Sequence, residues 1–143
     1  MAKNFKRPKH QSQTEINKAK ESIQIDFNSL LSFSFKYFKT VDGKFDPYSR
    51  DSDYFIVLLE RIKELSRLTL QQFYSNRSQA LRSHPIDWDD TTENSFGIPG
   101  EEQIVGTPYQ FELSANEYGR IHGFVIDSVF FIRWLDPDHN LYP

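Results

Sequence analysis

The chain has no cysteine among its 143 residues. This absence excludes zinc–thiolate sites, iron–sulfur clusters and catalytic thiols, because each of them needs a thiolate. The sequence also has no run of about 18 apolar residues, and charged residues stand at its N-terminus where a secretory signal would be apolar. We therefore expect a cytoplasmic protein without a membrane-spanning helix.

The motifs of several common enzyme classes are missing as well. The sequence contains no Gly-rich phosphate loop, no His-Glu-x-x-His pair and no Gly-x-Ser-x-Gly elbow. Nucleotide-dependent enzymes and serine hydrolases are therefore disfavoured. Asp136, Asp138 and His139 are of metal-ligating types, but acidic residues in a short turn commonly serve only the turn. We expect no metal site and no cofactor.

Charge is unevenly distributed along the chain. Residues 1–20 carry six basic side chains against one acidic one, a balance of +5, whereas the remaining residues carry 11 basic against 19 acidic ones, a balance of −8. The first 20 residues have few large apolar side chains, so we predict a basic, disordered tail there and a single domain over residues 21–143. A basic arm attracts phosphate backbones, and an acidic body repels them.

Hydrophobic periodicity predicts the first half of the domain. Apolar residues alternate with polar ones over residues 23–27 and 31–37, which is typical of strands. Residues 51–67 instead place apolar side chains at helical spacing, with Asp51 or Ser52 as the N-cap. Thr69 and Gln72 then match a capping box, which predicts a second short helix.

The second half begins with an unusual segment, residues 83–107, which contains six acidic residues, two prolines and three glycines. We predict a long acidic loop there. Strands are predicted over residues 109–113, 120–126 and 129–135, with the last two joined by a turn at Asp127-Ser128. The element order favours an α+β fold, in which a helical hairpin packs on one face of an antiparallel sheet.

The last 25 residues hold the candidate site. The guanidinium of Arg120 can bind a phosphate with paired hydrogen bonds, although a structural salt bridge to Glu112 or Glu117 is an equal alternative. His122 lies two positions further along the same strand face, either in a cleft or as an exposed polar residue without function. His139 can act as a general acid or can merely shape its turn.

Three further side chains complete this candidate site. Arg133 on the neighbouring strand would extend the positive charge of Arg120, and Trp134 and Tyr142 have aromatic faces suited to stacking on unpaired bases. Core packing is the alternative explanation for these rings, because 15% of the chain is aromatic. If this segment is functional, we predict that Arg133, His122 and Trp134 bind the substrate.

The C-terminal half resembles the RelE/YoeB-like family of toxin ribonucleases. The matching pieces are the helices at 52–76, YQFELS at 109–114, GRIHGFVID at 119–127, VFFIRWL at 129–135, and His139 with Tyr142 near the end. The resemblance implies an endoribonuclease in which Arg120 binds the scissile phosphate. His139 or Tyr142 would then transfer protons during attack by the RNA 2′-hydroxyl. It further implies RNA, which ribosomes can present, and an antitoxin-like protein as partners.

The chain departs from that family in its charge. It carries an acidic insertion of about two dozen residues, and the basic residues expected on the sheet are reduced to Arg120 and Arg133. Glu112 and Glu117 are the nearest residues that could serve as a general base. The acidic body favours an alternative function, a non-catalytic module that binds another protein through its aromatic sheet and acidic loop. The Arg, His and aromatic residues of the C-terminus favour the enzyme.

Overall fold

The computed structural model describes residues 26–75, 81–115 and 117–142. The basic tail predicted over residues 1–20 and most of the first alternating run lie outside the described residues. No helix in the described part is long and apolar enough to cross a membrane. The elements are the strands β1 (Ser32–Ser34), β2 (His84–Pro85), β3 (Pro108–Ser114), β4 (Glu117–Ile126) and β5 (Val129–Asp136), and the helices α1 (Ser52–Leu65), α2 (Leu70–Ser75) and α3 (Glu101–Ile104).

The first two helices begin at the caps expected from the sequence. The Asp51 carboxylate accepts the backbone N–H of Tyr54 at 3.3 Å, which caps α1. At the start of α2, Thr69 Oγ1 accepts the N–H of Gln72 at 3.1 Å and Gln72 Oε1 accepts the N–H of Thr69 at 2.9 Å. This reciprocal pair is a capping box. Both helices bury apolar side chains in the same core.

The two helices are also tied to the chain that precedes the sheet. The N–H of Leu31 donates to the carbonyl of Leu68 at 2.8 Å, and the N–H of Leu70 donates to the carbonyl of Ser29 at 3.1 Å. The predicted helical hairpin packed on one face of the sheet is therefore matched only in part, because the connection between its helices pairs with the segment before β1.

The sheet has five strands in the order β1-β5-β4-β3-β2. Strands β3, β4 and β5 form an antiparallel meander, and Asp127 and Ser128, with φ of 50° and 66°, make the predicted two-residue turn. The α+β class is confirmed, but β1 pairs with β5 in the parallel direction, so the sheet is mixed. The prediction of a purely antiparallel sheet was wrong, because a long connection through α1, α2, β2, α3, β3 and β4 separates β1 from β5, and a connection of that length permits parallel pairing.

Each face of the sheet carries a separate core. On the first face, the helices cover a cluster that includes Phe73, Phe111 and Phe130. On the opposite face, which we call the second face, the buried residues are Phe45, Ile86, Phe96, Ile98, Phe124, Trp134 and Leu141. Irregular segments supply the cover of the second face, because Phe45, Phe96 and Leu141 come from the loops before α1, before α3 and after β5.

The segment predicted as a long acidic loop forms much of this cover. It contains β2, a 3-10 turn at Trp88–Asp90 and α3. Its carboxylates act as local caps: Glu101 accepts the N–H groups of Phe96 at 2.9 Å and Ile98 at 3.1 Å. The acidic residues of this segment thus help to hold apolar side chains against the sheet, as well as contributing negative charge.

Candidate functional site

Oppositely charged side chains meet on the second face near β2. Glu112 on β3 stands directly opposite Arg120 on β4 in the strand register. Arg120 Nε lies 3.5 Å from Glu112 Oε1, and Arg82 Nε lies 3.9 Å from Glu112 Oε2. The side chain of Glu112 is 3% exposed, that of Arg120 is 20% exposed and that of Arg82 is 45% exposed. A buried carboxylate therefore faces two guanidinium groups that are more exposed than it is.

Two aromatic rings border these charges. The Arg120 guanidinium lies 5.7 Å from the centroid of the Tyr142 ring, within range of a cation–π contact. The Tyr142 ring is 6.0 Å from the imidazole of His84, which is exposed. We call Arg82, His84, Glu112, Arg120 and Tyr142 the Glu112 cluster.

Hydrogen bonds orient the two rings of the Glu112 cluster. The Tyr142 hydroxyl oxygen accepts the backbone N–H of Asp87 at 3.0 Å, so its own O–H is left to donate. His84 Nδ1 lies 2.7 Å from the carbonyl oxygen of Pro85, and His84 Nε2 lies 2.8 Å from Gln110 Nε2. These contacts place the imidazole proton on Nδ1 and let Nε2 accept from the Gln110 amide.

Several buried polar atoms of this region lack a hydrogen-bond partner among the described residues. They are Gln110 Oε1, Glu112 Oε2 and Arg120 Nε. Most buried polar atoms in proteins are paired, so a group of unpaired ones calls for an explanation, and a functional role is one of them. Arg82 adds backbone strain, since its φ of 43° lies in the left-handed region.

His122 and Asp136 form a second, fully buried pair beside this cluster. His122 Nε2 lies 3.0 Å from Asp136 Oδ2, and both residues are 0% exposed. Burial lowers the pKa of His122 and outweighs the raising effect of Asp136. Burial acts to raise the pKa of Asp136, but hydrogen bonds from His122 and two backbone N–H groups lower it overall. The pair is thus a carboxylate bonded to a neutral imidazole.

The structure places His122 in neither of the two positions expected for it, a cleft or an exposed strand face, because its side chain is fully buried and offers no surface to a substrate. Trp134 is only 3% exposed, and its ring stacks on Phe45 with a centroid distance of 4.3 Å. Arg133 donates from Nε to the carbonyl of Phe96 and from Nη1 to the carbonyl of Tyr37, each at 3.0 Å. These three residues, predicted to bind substrate, therefore make internal contacts.

A break in the strand register explains the position of Arg133. His122 pairs with Trp134, whereas the next residue, Gly123, pairs with Ile132, which leaves Arg133 as an extra residue in β5. Such a bulge turns consecutive side chains toward one face. Arg133 consequently holds two covering loops instead of extending the positive charge of Arg120.

His139 lies in the turn after β5. Its φ is 56° and its N–H donates to the carbonyl of Asp136 at 3.4 Å, while the neighbouring Asp138 carboxylate pairs with Arg50. Of the residues predicted to be catalytic, the structure brings Arg120 and Tyr142 together and adds Glu112, the residue suggested as a base. Sequence reasoning missed Arg82 and the role of His84, because β2 is too short to show periodicity.

The geometry defines an α+β protein with a mixed five-stranded sheet and a partly exposed cluster of charges on one face. Comparisons with protein-family models, curated proteins and solved structures find no match to the chain. Among the described residues, no group of three or more His, Asp or Glu side chains is placed to hold a metal ion.

Proposed function

We propose that the chain is a cytoplasmic, metal-independent endoribonuclease similar to the RelE/YoeB-like toxins, and that the Glu112 cluster is its active site. The observation that supports this proposal is the pairing of Glu112 with Arg120 at 3.5 Å and Arg82 at 3.9 Å. A proton acceptor and two phosphate-binding groups then lie within one site. RNA cleavage through the 2′-hydroxyl needs both.

Each group has a role in this reaction. Glu112 takes the proton of the 2′-hydroxyl, whose oxygen attacks the adjacent phosphorus. Arg120 and Arg82 bind the non-bridging oxygens and stabilise the charge that develops on them. The bond from phosphorus to the 5′-oxygen breaks, and the free O–H of Tyr142 donates its proton to that leaving oxygen. The products are a 2′,3′-cyclic phosphate and a 5′-hydroxyl.

The resting contacts fit the entry of a phosphate. The Arg120 Nε to Glu112 Oε1 distance of 3.5 Å is an ion-pair distance and long for a hydrogen bond, and both Arg120 Nε and Glu112 Oε2 lack hydrogen-bond partners in the described part of the chain. A phosphate that accepts from Arg120 would satisfy one of these atoms. The 2′-hydroxyl would satisfy the other by donating to Glu112.

A second candidate function is a non-catalytic protein-interaction module, which one observation favours. Helix α1 exposes Ile56 and Leu59, which are 58% and 64% exposed, beside the partly exposed Phe55. Adjacent exposed apolar residues on one helix are typical of a protein-binding surface. An antitoxin-like partner of the ribonuclease could use the same surface.

Induced expression of the chain in a bacterial host tests the ribonuclease, with growth and total RNA as readouts. We expect the wild type to arrest growth and cleave RNA, and Arg120→Ala to reduce cleavage about 100-fold or more, since removing one group that stabilises transition-state charge has that effect. Arg67→Ala is the matched control, because Arg67 is an exposed arginine outside the Glu112 cluster and is expected to leave cleavage unchanged. A wild type that neither arrests growth nor cleaves RNA would favour the interaction module.

A further inference from the structure

Asp136, the residue that ends β5, anchors the residues that follow it, 137–142, which we call the C-terminal segment. Its Oδ1 accepts the N–H of Asn140 at 2.7 Å, and its Oδ2 accepts the N–H of Leu141 at 3.0 Å and lies 3.0 Å from His122 Nε2. The carboxylate therefore faces three N–H donors without exposure to solvent. Two of these donors belong to the segment that leads to Tyr142.

Further contacts lay this segment on the second face. Leu141 is fully buried in the core of the second face. Thr92 donates from its N–H to the carbonyl of Leu141 at 2.9 Å and from its hydroxyl to the carbonyl of Asn140 at 2.7 Å. Asn140 Nδ2 in turn donates to the carbonyl of Lys44 at 2.8 Å. Tyr142 follows directly and contacts Arg120.

The same junction also fixes the start of the strand that carries Arg120. Gly119 has a φ of +72°, and a Cβ at this position would overlap the backbone of Asp136 and Pro137. Only glycine permits so close an approach at this φ. The residue before Arg120 is therefore packed against the residue that anchors the Tyr142 segment.

We infer that Asp136 and His122 are a positioning pair, which holds the C-terminal segment so that Tyr142 lies on the guanidinium of Arg120. The inference deepens the proposed function, because it rests on Tyr142 and Arg120 acting in one site. His122 donates one N–H that fixes the Asp136 carboxylate from within the sheet. The same carboxylate accepts the backbone N–H groups of Asn140 and Leu141 and so fixes their positions. Neither residue touches the substrate.

The first test measures the C-terminal segment of the wild type, without RNA. Hydrogen exchange by NMR should show the amides of Asn140 and Leu141 protected about 100-fold or more, and ring proton contacts should join Tyr142 to Arg120. Unprotected amides, or a Tyr142 ring without contacts to Arg120, would overturn the inference. These readouts remain informative even if the chain cleaves no RNA, so the failure of the inference is distinguishable from that of the proposed function.

The second test uses variants. Asp136→Asn replaces one carboxylate oxygen by an amide NH2, so that a donor faces the N–H donors of Asn140, Leu141 and His122, and His122→Phe removes the imidazole donor while keeping a ring. In both we expect the Tyr142 ring signals to move toward those of free tyrosine and the exchange protection of the Asn140 and Leu141 amides to fall at least 10-fold. His122→Gln, whose amide can donate to Asp136, should restore much of the wild-type behaviour.

Asp138→Asn is the matched control, because Asp138 lies in the same turn but is exposed and pairs with Arg50. It should leave Tyr142 in place. In the cleavage assay, Asp136→Asn should add no further loss to Tyr142→Phe. Additive losses, or unchanged Tyr142 signals in folded Asp136→Asn and His122→Phe proteins, would contradict the positioning role.

Discussion

The buried imidazole of His122 should make the stability of the fold depend on pH. Its pKa is lowered by burial from the ordinary value of 6.5, so below that pH the unfolded chain takes up a proton that the folded chain does not. The contribution of neutral His122 to the free energy of unfolding is therefore complete above pH 6.5 and is lost as the pH falls. The loss is at most about 1.4 kcal/mol per pH unit, or about 2 kcal/mol between pH 6.5 and 5.

The charged groups around His122 help to set its pKa in the folded chain, and this pKa is the lower limit of the pH range over which stability is lost. Asp136 raises the pKa of the imidazole, whereas Arg120 and His84 lower it together with burial. The pKa of Asp136 is itself lowered from 3.8, so its contribution to stability is lost only at more acidic pH. Between pH 6.5 and 5, the change assigned to this pair should therefore come from His122.

Urea unfolding at pH 8, 7, 6 and 5, followed by tryptophan fluorescence, measures this dependence. We expect the wild type to lose stability from pH 6.5 to 5 and His122→Gln to show a smaller loss, because glutamine does not titrate. The difference between the two proteins isolates His122 from the other histidines. Equal slopes in both proteins, or a wild type that gains stability as the pH falls, would refute the assignment of a buried neutral imidazole.

Two further predictions concern the cover of the second face and the turn after β5. Phe96→Ala should lower the free energy of unfolding by about 3–5 kcal/mol in urea titrations, because Phe96 is 1% exposed and packs against Trp134. Phe35→Ala is the control and should change the free energy of unfolding by less than about 1 kcal/mol, because Phe35 is 53% exposed. Small losses of similar size in both variants would mean that the cover of the second face is loosely packed. His139→Gly should keep the melting temperature and RNA cleavage, because glycine suits the φ of 56°; lost cleavage would indicate a catalytic role for His139.

Local signals predicted the elements that carry their own periodicity or caps. Helix α1 was recognisable from apolar spacing and Asp51, and α2 from the reciprocal pattern of Thr69 and Gln72. The meander was recognisable from three predicted strands and the Asp127-Ser128 turn. These features depend on residues close together in sequence, so a single chain is enough to reveal them.

The second face could not be predicted in this way. Its cover uses apolar residues at irregular spacing, such as Ile86, Phe96 and Ile98, which match neither a helix nor a strand. The parallel pairing of β1 is only three residues long and joins segments almost 100 residues apart. Long-range pairings of this kind depend on the assembled fold.

The candidate site was predictable only in part, for the same reason. Arg120 and Tyr142 were selected by residue type and position, and the structure brings them together. The bulge at Arg133 redirects its side chain to the loops, and β2 brings Arg82 and His84 to the edge of the site. Neither the bulge nor the edge strand leaves a signal in the local sequence pattern.

The most direct test of the Glu112 cluster as a ribonuclease site is the cleavage of a defined RNA by the purified chain, with and without ribosomes, analysed by mass spectrometry. We expect fragments that end in a 2′,3′-cyclic phosphate and begin with a 5′-hydroxyl. We also expect a loss of cleavage in Glu112→Gln and no cleavage at a linkage whose 2′-hydroxyl is replaced by hydrogen. Intact RNA under all conditions, or cleavage by Glu112→Gln at the wild-type rate, would contradict the assignment of the Glu112 cluster as a ribonuclease site.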